Sequence, residues 1–187
     1  MIITADHGEA FWEHGKAEHG NSFFDEVIRV PLIFLHSSGG DSHIISQAVS
    51  IVDLFPTVLS IAGIQLPKGL PGLNLQPYFN GKSMPDRILF SENPHSVDIQ
   101  GTAYISPQWK FISLPTLKQG WLYDVAKDPN ERRNLILRHA DLVPEFKEKL
   151  RAHRARNEQF RKILGKSEIE LDEETDQRLK ALGYVNH

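Results

Sequence analysis

Three short strings near the start of the chain carry side chains able to hold a divalent cation or move a proton: Asp6-His7-Gly8, Glu13-His14-Gly15 and Glu18-His19-Gly20. Each joins an acid, an imidazole and a glycine, and together they take three of the nine histidines. Carboxylate oxygens and imidazole nitrogens are good donors to divalent metals, and a glycine lets backbone pass close beside them. Asp6 and His7 form the candidate metal pair because they directly follow Ile2-Ile3-Thr4, whose β-branched side chains predict a short buried strand over residues 1–5. In open α/β sheets, ligand sites gather at the carboxyl ends of strands, where a rigid element holds the loop still. Two donors do not complete a site. Zinc takes about four ligands and calcium more, so the rest must come from elsewhere. A plain hydrogen-bonded Asp–His pair is the alternative reading.

Behind this loop, a set of elements must do the positioning. "RVPLIFLH" (29–36) predicts a second buried strand, with Arg29 anchoring a carboxylate, and "SSGGDS" (37–42) a turn. "SIVDLFPTVLSIAG" (50–63) predicts a helix with Val52, Phe55, Leu59 and Ala62 on one face and Gly63 at its end. A proline- and glycine-rich connector follows. From residue 86, "DRILFSE", "GTAYISPQWKFISLP" and "WLYDV" predict a small antiparallel sheet, and Asp141 a cap for a long helix reaching Leu164. A last short helix is expected before Gly183. The three tryptophans, Trp12, Trp109 and Trp121, read as core or site wall.

A chain of 187 residues can bury a sizeable core. The absence of cysteine rules out disulfides, thiolate metal sites and a cysteine nucleophile within these residues. A net charge of −3 gives no global signal for nucleic acid or an anionic membrane. Helix 141–164 carries seven cations from Lys147 to Lys162, but Glu145, Glu148 and Glu158 interleave, which reads as a solvated face. No apolar run approaches the ~20 residues needed to span a bilayer, and the opening "MIITADHGE" lacks the basic region of a secretory signal.

The run "IITADHGE…EHG…HGNSFFDEVIRVPLIF" resembles the sulfatase branch of the alkaline phosphatase superfamily. The likeness continues in order through "SIVDLFPTVLSIAG", "GLPGLNLQPYFNG", "RILFSE", "WLYDVAKDPNERRNL" and "LKALGYV", and so covers nearly the whole chain. It implies an α/β fold: the C-terminal part of an alkaline-phosphatase-like sandwich over residues 1–84, a small antiparallel β subdomain over 85–135 and a helical tail over 136–187. It also implies metal-dependent hydrolysis of sulfate esters on a small molecule or glycan. Asp6 and His7 would be metal ligands for Ca, or for Zn, Mn or Fe. His19 stands where relatives place a lysine or histidine that touches the anionic group or the leaving oxygen. His14 joins it as a second catalytic candidate, and Lys16 ranks below both.

The same resemblance places a Cys- or Ser-x-Pro-x-Arg nucleophile motif, and a first pair of metal aspartates, ahead of the Asp-His step. Neither is expected in this chain, which therefore reads as a C-terminal part whose partner is the N-terminal half. Ser83-Met84-Pro85-Asp86-Arg87 matches the motif literally but falls after the metal loop, and reads as a loop turn. Two other readings remain. One is a phosphonate or phosphate ester hydrolase, or a phosphoethanolamine transferase, of the same superfamily. The other is an inactive metal- or anion-binding remnant.

Overall fold

The computed structural model describes residues 1–20, 22–35, 42, 44–79, 81–82, 85–93, 101–115, 118–164 and 172–181. Residues 37–41 of the turn expected over 37–42, Ser83 of the literal motif, and Gly183 lie outside the described residues. The chain forms two compact units, Met1–Arg154 and Ala155–His187.

The first unit opens on strand β1 (Ile2–Thr4), which pairs antiparallel with β4 (Leu32–Phe34) in the register Ile2↔Phe34, Ile3↔Ile33 and Thr4↔Leu32. Both strands were expected to be buried. They are not: Ile3, Ile33 and Leu35 are each more than 40% exposed. Among the described residues these strands pair only with each other, and a two-stranded ribbon has no second layer to cover its faces. Between them, β2 (Ala10–Phe11) and β3 (Ala17–Glu18) form a small hairpin, and α1 (Asp25–Ile28) is a single helical turn.

Residues 50–61 are helical as expected, with a 3₁₀ turn (Ile51–Asp53) leading into α2 (Leu54–Ile61). The inner face differs from the predicted one. Asp53, Pro56 and Thr57 are buried, while Val52 and Phe55 are more than half exposed. The cause is polar. The Asp53 carboxylate closes a capping box with Ser50, accepts from Leu73 N at 2.7 Å and pairs with Arg87. Thr57 Oγ1 donates to the Asp53 carbonyl at 2.6 Å and accepts from Leu75 N at 2.9 Å. These bonds lay the connector against the helix, and at Gly72 a Cβ would fall 2.1 Å from the Val52 carbonyl oxygen. The connector ends in α3 (Gln76–Phe79).

The predicted antiparallel sheet is present as a four-stranded meander: β5 (Leu89–Asn93), β6 (Gly101–Ile105), β7 (Trp109–Leu114) and β8 (Gln119–Asp124). Alternation sends Ala103, Ile112, Leu114 and Tyr123 to one face, where Phe23 and Phe24 pack. Tyr104, Phe111 and Leu122 take the other face, under Phe146 and Leu150 of α4 (Val143–Leu164). The second unit holds the end of that helix and α5 (Glu173–Ala181). There Asp172 accepts from Thr175 N and Oγ1, both at 2.9 Å, and its carboxyl lies below the usual range because of those bonds. No helix among the described residues is long and apolar enough to cross a membrane.

Candidate active site

The chemistry-bearing loop is a hairpin, and its register explains which side chains meet. Ala10 faces Glu18 and Phe11 faces Ala17, so Glu9 and His19 stand opposite one another just beyond the ladder. His19 Nδ1 lies 3.1 Å from Glu9 Oε2. A carboxylate can only accept, so Nδ1 carries the proton of this bond and Nε2 is left for a ligand. The His19 ring stacks on His7 with centroids 4.0 Å apart and planes 19° from parallel.

Asp6 and His7 follow β1 after the single residue Ala5. His7 Nδ1 lies 2.9 Å from the Gly8 carbonyl oxygen, which again fixes the proton on Nδ1 and leaves Nε2 as the donor nitrogen. Asp6 Oδ1 accepts from His7 N at 3.0 Å and stands 3.8 Å from His7 Nε2. That separation is shorter than two metal–ligand bonds laid end to end, about 4 Å or more, so one ion can touch both atoms. The pair thus fits a divalent cation as two of its ligands. Among the described residues no group of three or more such side chains converges on one point. Gly8 holds the loop down: its N–H donates to the Val27 carbonyl at 2.7 Å, and a Cβ there would fall 2.1 Å from the Glu26 carbonyl oxygen.

His14, grouped with His19 in the sequence reading, has both ring nitrogens engaged. Nδ1 is 2.7 Å from Glu26 Oε1, Nε2 is 3.2 Å from the Glu131 carbonyl oxygen, and the ring stacks on Phe24 at 3.8 Å. It fastens the hairpin tip to the region of the four-stranded sheet. Beside it lies a feature that sequence reasoning missed. Lys110, fully buried in β7, bonds Asp25 Oδ1 at 2.8 Å and pairs with Glu131 Oε1 at 2.5 Å, while Asp25 N donates to Glu131 Oε2 at 2.8 Å. Burial raises the Glu131 carboxyl above its ordinary range, against the pull of Lys110, and burial with nearby carboxylates raises the Tyr123 hydroxyl. A lysine between Trp109 and Phe111 in a strand was the one available signal.

Trp12, expected in the core or site wall, is 70% exposed in the hairpin turn with φ of 74°. Trp109 and Trp121 are part-buried against the two sheet faces. Arg29 pairs loosely with Asp25 at 3.7 Å. Lys16 lines a cavity of about 650 Å³ with His14, Trp121, Tyr123 and Arg132.

A family model described as "N-sulphoglucosamine sulphohydrolase, C-terminal" matches residues 13–156. Arylsulfatase K of Rattus norvegicus is 29% identical over an alignment of 182 positions that covers 86% of this chain and 32% of that protein. A solved 2-O GAG sulfatase shares 26% identity at a TM-score of 0.69, over 91% of this chain and 38% of the other. The phosphonate monoester hydrolase of Agrobacterium radiobacter shares 25% at a TM-score of 0.66, over 82% of this chain and 34% of the other. The fold is therefore the α/β fold of the alkaline-phosphatase-like hydrolases. The chain belongs to the N-sulphoglucosamine sulphohydrolase C-terminal family of sulfatases, and it spans about a third of the length of the relatives it matches.

Proposed function

We propose that this chain supplies the Asp-His metal pair and the leaving-group histidine of a sulfuric ester hydrolase acting on a sulfated sugar. The observation that carries the reading is the approach of Asp6 and His7, which follow β1, to His19 at the end of the hairpin, with both imidazoles holding their protons on Nδ1. A divalent cation, when bound, would polarise the ester oxygens and lower the pKa of the nucleophile. Asp6 Oδ1 and His7 Nε2 would hold it, with the Gly8 carbonyl keeping the His7 ring turned. His19 Nε2 would touch the anionic group and, when protonated, hand its proton to the departing alcohol oxygen. Glu9 orients His19, and His14 sets the height of the hairpin. A sugar substrate is suggested by the 2-O GAG sulfatase among the structural neighbours. The nucleophile and the remaining metal ligands are assigned to a further polypeptide segment. A histidine at position 19 and the phosphonate monoester hydrolase neighbour favour phosphonate or phosphate esters as the second reading.

The test uses calorimetric titration of the chain with Mn²⁺, Ca²⁺ and Zn²⁺, then the aryl sulfate, phosphate and phosphonate assays with the N-terminal segment of a relative added. Asp6→Ala and His7→Ala should abolish metal uptake. His19→Ala should keep metal uptake and lose about 10²–10⁴-fold in rate. Metal uptake equal in the parent chain and in His7→Ala would refute the proposal.

A further inference from the structure

A second surface, outside the hairpin, has the chemistry of an anion-binding groove. It is a cavity of about 480 Å³ between one face of the four-stranded sheet and α4, formed by residues of the first unit alone. Its floor is apolar, from Phe111, Ile136, Val143 and Leu150. Its charged lining is wholly cationic: Lys118, Lys147, Arg151 and Arg154, with no carboxylate among the lining residues.

The helix spacing makes this stripe. Positions 147, 151 and 154 are i, i+4 and i+7, so they share one face of α4. The interleaved glutamates neutralise other positions: Glu145 pairs with Lys149 at 2.6 Å and Glu158 with Arg161 at 3.9 Å. Lys118 approaches from the β7–β8 turn, where its φ is 51°. The ammonium groups of Lys118 and Lys147 have no ion pair or hydrogen bond among the described residues. Arg151 pairs with Glu148 at 2.9 Å, but both side chains are about 70% exposed, and such pairs exchange readily for another anion. Arg154 is held by Thr102 and lies 3.9 Å from Glu92.

We propose that this groove is a secondary docking site for a sulfated polysaccharide, distinct from the reacting loop. The proposal rests on the reading of the substrate as a sulfated sugar and adds a place where the chain grips residues of the polymer that do not react. Charge complementarity selects the occupant: cations on the rim meet the sulfate and carboxylate groups of the polymer. The volume suits one or two rings. A single-stranded nucleic acid is disfavoured because its binding needs exposed aromatic platforms, and Phe111 is 1% exposed.

The test is binding of a sulfated heparin-derived octasaccharide to the full chain, by calorimetry at low and moderate salt. Lys118→Glu with Lys147→Glu should weaken binding about tenfold or more, since each lysine offers a charge-assisted contact. Lys118→Arg with Lys147→Arg should bind like the parent. Lys68→Glu with Lys82→Glu, the same charge change at exposed positions away from the groove, should also bind like the parent. His7→Ala should remove metal uptake and Lys118→Glu with Lys147→Glu should keep it, which separates the groove from the hydrolase reading. Equal binding by the Lys118→Glu, Lys147→Glu variant would overturn the groove. So would an equal loss in the control variant, equal affinity for the fully desulfated octasaccharide, or tighter binding of an oligonucleotide of matched charge.

Discussion

Two regions of the first unit solve the problem of holding shape in different ways. From residue 89 on, the four-stranded sheet buries apolar side chains on both faces, and Leu137 is the one exposed large hydrophobic among the described residues there. Before residue 89 the balance reverses. Ile3, Ile33, Val52, Phe55, Val58 and Ile61 all stand in solvent, and order comes from directed bonds: the Ser50–Asp53 capping box, Asp53 with Arg87, the Gly8 and Gly72 close approaches, and the hairpin ladder. The candidate catalytic groups sit in this second kind of region. They take rigidity from the sheet and the segment after it through the packing of Phe23 and Phe24 and through polar links: His14 to the Glu131 carbonyl, Asp25 N to the Glu131 carboxylate and Lys110 to Asp25.

Cutting the stronger link should produce the largest effect. Lys110→Met leaves Glu131 and Asp25 without their cation and should cost about 3–5 kcal/mol in urea unfolding at neutral pH. The sign with pH follows from Glu131, whose carboxyl is raised by burial. In the native state it takes a proton more readily than in the unfolded chain. Its stabilising contribution is therefore full below the ordinary carboxylate range and is lost as pH rises through the raised value. Removing Lys110 pushes that value higher still, so the penalty should shrink on acidification. A penalty that stays constant between neutral and mildly acidic conditions would mean Lys110 acts by packing alone.

A smaller effect is expected where the loop presses on α1. Gly8→Ala puts a Cβ against the Glu26 carbonyl and should cost about 1–3 kcal/mol as the loop lifts. The imidazole resonances of His7 and His19 should move together in nuclear magnetic resonance spectra, while amide shifts of β6–β8 stay in place. Movement confined to the sheet would reverse the comparison. The smallest effect belongs to the exposed helix face. Phe55→Ser should change unfolding free energy by no more than about 0.5 kcal/mol and should reduce self-association in sedimentation runs. A large loss of stability would show that α2 is packed in solution and that the two regions do not differ as described.

Much of this was legible in the sequence, and the failures share one cause. Strands over 86–125 were readable because turn residues punctuate β-branched and aromatic runs, and α4 because its apolar side chains recur at helical spacing. The expectation of a metal pair rested on the place of Asp6 and His7 just past Ile2-Ile3-Thr4, and that short strand does form. The inner face of α2 was misread because apolar periodicity identifies a stripe, while long-range bonds from Leu73, Leu75 and Arg87 decided which stripe turned inward. The Lys110 triad was missed for the same reason: its partners lie 85 and 21 positions away in the chain. Glu9 was overlooked because its importance is a matter of hairpin register, which the glycine at position 15 hinted at but did not set.

The two-rung ladder of the hairpin works as a ruler. Whatever number of residues the tip contains, the side chain just before the first rung and the one just after the last are returned to bonding distance of each other. Extra turns of chain inserted between Phe11 and Ala17 would leave the acid and its imidazole where they are. Dropping one residue from a single rail would slide the partner across the ribbon and turn the imidazole to the opposite side. The acid–imidazole couple therefore tolerates growth of the loop's end and is intolerant of a change in phase along its sides.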